Sequence, residues 1–166
     1  MCTTISASTF IEHTLIGEYG DIVNEGKHDY LSFLLIACGI EFLGRCMESE
    51  GTDWQDPYKS RYYFGRGMSL FKQDYDNLAD TLYKELRCGF CHSLLPEEKI
   101  IVSSKKPQDL NCIPICLNLH TFFNDFKDAC NALLNDDAHK DRLNQLFLAA
   151  SQDSSGATIT TINKGE

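Results

Sequence analysis

Residues 74–96 read DYDNLADTLYKELRCGFCHSLLP. Leu78, Leu82, Leu86 and Phe90 recur at every fourth position, which lays an apolar stripe along one side of a helix. Asp74 or Asp76 is placed to cap its start, where a carboxylate meets free backbone N–H groups. Pro96 cannot continue it. The last turns carry Glu85, Arg87, Cys88, Cys91 and His92, the densest run of reactive side chains in the chain.

Helical patterns flank this stretch on both sides. Phe10, Ile11, Leu15, Ile16, Tyr19, Ile22 and Val23 share a broad face from about residue 8 to 24, with Ser8 or Thr9 as cap. Residues 29–48 are apolar almost all round, as expected of a helix buried on all sides at the centre of the fold. Within it Glu41 and Arg45 stand four apart with the acid first, the favourable order for a helix ion pair. That pair serves either as a structural bridge or as a means of orienting a site group. Residues 121–135 are amphipathic through Phe122, Phe123, Phe126, Cys130, Leu133 and Leu134, and 139–150 through Leu143, Leu146 and Phe147.

Residues 51–58 read as a loop that Trp54 pins to the core. Residues 99–103 (KIIVS) and 112–117 (CIPICL) are short and β-branched between polar loops, the pattern of a small hairpin, with Pro114 at an edge or bulge. The predicted class is therefore mainly α: a helical bundle with a β-hairpin inserted after the motif helix. Residues 1–150 read as one such domain, and 151–166 as a small, polar, mobile tail whose ATITTI segment is able to add as an edge strand.

Composition narrows the function. The 166 residues suffice for one domain with a real core. The net charge of −9 argues against a wide nucleic-acid surface and leaves room only for a small basic cleft. One cluster supplies such a patch: Lys59, Arg61 and Arg66 interleave with Tyr62, Tyr63 and Phe64, able to grip phosphates and stack bases, or simply to form a short helix with core aromatics. The N-terminal segment lacks the cationic start and long apolar run of a secretory signal, and no run is long enough to span a bilayer. A cytoplasmic location without membrane contact is expected, with the eight cysteines mostly reduced.

Three chemistries compete for the motif helix. Cys88, Cys91 and His92 spell the CxxCH of haem attachment, which needs export and an oxidising compartment that this sequence does not suggest. Cys88 and Cys91 with Cys112 and Cys116 approach zinc-ribbon spacing, but Phe90 completes the apolar stripe that a zinc knuckle would break. No metal or other cofactor is therefore assigned. The third is Arg87 with His92: a fixed cation for phosphate and a side chain that carries protons near neutral pH, the two parts that metal-free RNA cleavage requires. A bland alternative is that both simply cap a helix end by bonding backbone carbonyls.

An Arg followed after four residues by a His at the end of a helix, in an all-α bundle, resembles the HEPN superfamily. The flank YKELRCGFCHSLLP also resembles bacterial proteins of unknown function that read roughly LRCGxxH. The resemblance spans about residues 29–135 and is specific at residues 86–92. It implies a helical, commonly dimeric domain. Many members are metal-independent ribonucleases of toxin–antitoxin, CRISPR and anti-phage systems; others are non-catalytic. On this resemblance Arg87 is the phosphate clamp and His92 the proton carrier, RNA rather than DNA is the partner, and a homodimer is expected. Glu85, Cys88 and His92 share a helical face at i, i+3 and i+7, so Glu85 is read as the group that holds the His92 tautomer. In an ideal helix Arg87 and His92 stand about 140° apart, so the site needs a loosened turn near Gly89 or a second subunit. The sequence departs from the active pattern at Cys88, where active members carry a polar residue such as Asn or Asp.

Overall fold

The computed structural model describes residues 2–48, 57–93, 98–151 and 158–162. It is mainly helical. In chain order the elements are β1 (Cys2–Ser6), α1 (residues 7–25), α2 (Asp29–Cys46), α3 (Ser60–Met68), α4 (residues 79–93), β2 (Ile100–Ser103), β3 (Ile115–Asn118), α5 (Leu119–Leu134), α6 (Asp137–Gln145), β4 (Phe147–Ser151) and β5 (Thr158–Ile162). Among the described residues no helix is long and apolar enough to cross a membrane. The loop at 51–56 with Trp54 lies outside the described residues, as does Pro96.

Helix α2 is the hub. Phe33, Ile36, Ala37, Ile40, Leu43 and Cys46 are fully buried along it. It is not enclosed on all sides as expected: Tyr30 and Leu31 are half-exposed, and Leu34, Leu35, Cys38 and Phe42 are only partly buried. The hub is gripped most tightly by α3. A methyl group on Gly44 would run into the backbone of Tyr63, and one on Gly67 into that of Ile40. Two helices come this close only where both surfaces lack a side chain.

The motif helix α4 changes width along its length. Ala79–Leu82 is α-helical, Tyr83–Gly89 is π-helical, and Phe90–Ser93 returns to α. This accounts for the apolar stripe. A strict four-residue repeat drifts about 40° per step in a 3.6-residue helix. The wider turns, whose N–H groups reach back five residues, take up that drift. Leu82, Leu86 and Phe90 accordingly all lie in the core, with Leu78 packed against it. Neither Asp74 nor Asp76 caps α4: Gln73–Tyr75 forms a separate 3-10 turn, and Leu78 occupies the cap position without a side-chain bond. Helix α1 starts at Ala7, capped by Ser6 rather than by Ser8 or Thr9, through its hydroxyl, which accepts from the Thr9 N–H.

The strands after α4 correct the hairpin expectation. β2 and β3 pair in parallel, Ile100 opposite Ile115 through Ser103 opposite Asn118. The intervening chain crosses back before β3 begins, held by backbone bonds between Asp109 and Cys116. Tyr75 secures this crossover: its hydroxyl donates to Asp125 Oδ2 at 2.7 Å and accepts from Gln108 Nε2 at 2.8 Å. Lys72 Nζ meets the other Asp125 oxygen at 2.9 Å.

The predicted helix over 139–150 is also corrected. Helix α6 runs Asp137–Gln145, and the chain then extends into β4. β4 lies between β1 and β5, antiparallel to both, so Thr158–Ile162 sits as an edge strand. The pull is non-local: β1 offers an unpaired edge, which outweighs the helical spacing of Leu143, Leu146 and Phe147.

Candidate functional site

The site grows from Glu41. Its carboxylate is buried inside the bundle, where a charge persists only with partners. Arg45, one turn on, donates from Nη2 to Oε1 at 2.5 Å. Ser60, the first residue of α3, donates to Oε2 at 2.7 Å. Arg87 of α4 donates from Nε to the same oxygen at 2.8 Å. Burial alone would raise the Glu41 carboxyl, but these three donors outweigh it and hold it below the usual glutamate value. The Arg87 guanidinium is shifted upward in turn: desolvation opposes its charge, and the bond to Glu41 overrides that. The Arg45 guanidinium lies 5.0 Å from the centre of the Tyr63 ring, which adds a cation–π contact to the bridge.

Arg87 is thus held by one edge. Nε is bound to Glu41, and Nη1 donates to Cys91 Sγ at 2.7 Å. Nη2 has no partner among the described residues. Among the described residues neither Arg87 nor His92 bonds a backbone carbonyl, as a helix cap would. His92 is exposed in the last turn of α4 and has no hydrogen-bond partner among the described residues. Arg87 lies near the end of the π-helical turns, and His92 follows in the α-helical turn after them.

Glu85 is placed differently from its expected role. It is 1% exposed, while His92 is on the surface, and no hydrogen bond joins them. Its Oε2 is buried and has no partner among the described residues. The carboxylate that organises the site is Glu41, which acts as a bridge to Arg45 and as the holder of Arg87 at once. Ser60 carries no sequence signal for a site role, because it reaches Glu41 from another helix.

Of the three basic residues of α3 and its approach, two face acidic side chains. Lys59 is exposed at the cap position of the helix. Arg61 makes a two-pronged pair with Asp80, from Nε at 2.9 Å and Nη2 at 2.5 Å. Arg66 faces Glu48 at 3.5 Å. Arg61 and Arg66 line an open groove of about 590 Å³ with Tyr58, Tyr62, Gly65, Ser69 and Asp80. Tyr62 is half-exposed there, while Tyr63 and Phe64 turn into the core.

The four cysteines with zinc-like spacing lie on different elements. Cys88 and Cys91 sit on α4, whereas Cys112 and Cys116 belong to the crossover and β3. Among the described residues no group of three or more His, Cys, Asp or Glu side chains is arranged to hold a metal ion. The other histidines lie apart from the site: His13, His28 and His120 are exposed, and His139 bonds Asp136 at 2.9 Å.

Comparisons with protein-family models, with curated proteins and with solved structures give no match to this chain.

Proposed function

We propose that the chain is a HEPN-like, metal-independent endoribonuclease that works as a homodimer, with His92 as proton carrier and Arg87 as phosphate clamp. The observation that carries this reading is the way Arg87 is held. A buried carboxylate fixes one edge of the guanidinium, and Nη2, which has no partner among the described residues, is the atom we assign to phosphate. An exposed histidine with no partner among the described residues follows it five positions on, in the α-helical turn after the widened segment. A structural Arg–His pair would instead spend both side chains on backbone carbonyls.

Each part has a task. The guanidinium stabilises the charge that builds on the phosphoryl oxygens as the 2′-hydroxyl attacks. Histidine takes a proton from that hydroxyl or gives one to the leaving oxygen. In a single copy one histidine serves only one of these steps. Two copies of α4 facing one cleft supply both, and the half-exposed Tyr30 and Leu31 at the start of α2 give apolar surface for such an approach. Cys88 donates and accepts only weakly, so the positioning that a polar residue gives after the Arg falls here to Glu41.

The test is cleavage of a panel of single-stranded RNAs in the presence of a metal chelator. His92→Ala is expected to lower the rate by about 10²–10⁴-fold, the usual worth of a positioned acid–base group, with the helical circular dichroism unchanged. An intact RNA panel with the unaltered protein, or cleavage by His92→Ala at the original rate, overturns the proposal. Mass in solution is expected at about twice the 18.8 kDa of one chain.

A further inference from the structure

The chain doubles back just before β3. Residues 110–114 form a bend, and the Asp109 carboxylate tightens it by accepting from the Asn111 N–H at 2.9 Å. Two backbone bonds between Asp109 and Cys116, each of 2.9 Å, close its base. Two thiols meet inside it. Cys112 Sγ donates to the Pro114 carbonyl at 2.8 Å, and Cys116 Sγ donates to that same oxygen at 3.9 Å. The two sulfurs therefore lie no farther apart than those distances combined. In a straight strand residues four apart would be separated by about 13 Å, so it is the bend that brings them together. Cys112 also reaches the Asp109 carbonyl at 3.3 Å, the oxygen that binds the Cys116 N–H. Between them Ile113 is 94% exposed, so the bend stands open to solvent.

We propose that Cys112 and Cys116 form a thiol–disulfide exchange site that takes a small-molecule disulfide as its oxidant. In the first step the Cys112 sulfur attacks one sulfur of the small disulfide. That S–S bond breaks, and one small thiol leaves with the proton that Cys112 gave up. In the second step the Cys116 sulfur attacks the Cys112 sulfur, the mixed S–S bond breaks, and the second small thiol leaves with the Cys116 proton. Two chain thiols and one small disulfide give one chain disulfide and two small thiols, with two electrons passing from the chain to the small molecule. Cys112 is the entering thiol because it sits on the bend, whereas the Cys116 backbone is tied to Asp109 and to β2. Desolvation and the Cys116 thiol beside it push the Cys112 thiol up, so this first step is the slow one. The second step lies within one chain and gains from the nearness of the two sulfurs. A ring of five residues constrains the unfolded chain little, so the bond serves exchange rather than stability. Neither thiol belongs to α4, and the assignment stands apart from the ribonuclease reading.

Incubation of the full chain with oxidised glutathione, then iodoacetamide and peptide mapping by mass spectrometry without reduction, tests this. The peptide that carries Cys112 and Cys116 is expected to lose two hydrogens and to take up no iodoacetamide before any other two cysteines link. Serine keeps a donor for the Pro114 carbonyl, so substitution at either position retains the bend. Cys116→Ser is expected to stop at a glutathione adduct on Cys112. In Cys112→Ser the adduct on Cys116 is expected to form several-fold more slowly. An unaltered chain that keeps a glutathione adduct without losing the two hydrogens, or an adduct that forms faster on Cys116 than on Cys112, overturns the assignment.

Discussion

Replacing Glu41 by glutamine keeps the size of the side chain and removes its charge, and the Arg87 Nε then loses an anionic acceptor in a buried place. Breaking one side of a buried pair costs of the order of 3 kcal/mol. The effect has a pH signature. The folded-state Glu41 carboxyl lies below its ordinary 4.5. Its contribution is therefore complete above about that pH and is lost as pH falls through the lower folded value. Urea midpoints taken from pH 7 to pH 3 are expected to fall less steeply for Glu41→Gln than for the unaltered chain over this acid window. Tyr75→Phe tests a second buried network. It leaves Asp125 Oδ2 without its 2.7 Å donor and Gln108 Nε2 without its acceptor. A loss of about 1–3 kcal/mol in denaturant unfolding is expected, the usual cost of leaving buried polar groups unmade. Arg87 and His92 stand out in the sequence because their chemistry and spacing are local. The bond from Arg87 to Glu41 crosses 46 positions, and no local pattern encodes it.

At the scale of elements, the closest contact is the crossing of α2 and α3 at Gly44 and Gly67. Gly44→Ala would force a methyl group into the Tyr63 backbone, which cannot rotate away as a side chain would. A loss of at least about 3 kcal/mol is expected, above the common range for overpacked cores. Gly65→Ala on the same helix has open space at its Cβ and makes a fair control. Melting temperatures of the two variants check this, and equal values would sink the explanation. The helices themselves were readable. The stripe of Leu78, Leu82, Leu86 and Phe90 and the Phe122–Leu133 face both report burial directly. Strand pairing was not readable, because a β-branched run looks the same whether its neighbour lies parallel or antiparallel. The end of α6 was hidden for a related reason. Leu146 and Phe147 fit a helix locally, and only the distant edge of β1 decides for a strand.

For the whole molecule, charge is the governing quantity. A chain of net charge −9 repels a polyanion except at a small, well-placed cation. Arg61 faces Asp80 and Arg66 faces Glu48, so few guanidiniums are left to displace counterions. RNA affinity is expected to depend weakly on salt, with a log–log slope of about −1 to −2, as for one to three phosphate contacts on a single strand. Filter binding from 50 to 200 mM salt, marks that span the usual range, measures it. A slope steeper than about −4 would point to a broad basic surface and overturn this reading.

The wide turns of α4 have one more consequence, for how the chain tolerates editing. A π-helical turn holds one residue more than its α-helical equivalent over the same rise. Tyr83–Gly89 is therefore a length reservoir between two anchored ends, Leu82 and Phe90. Deleting the exposed Lys84 lets this segment contract into ordinary helix while both anchors stay in the core. The fold then survives the loss of a residue from the middle of a central helix, and only the phase of the side chains between the anchors changes.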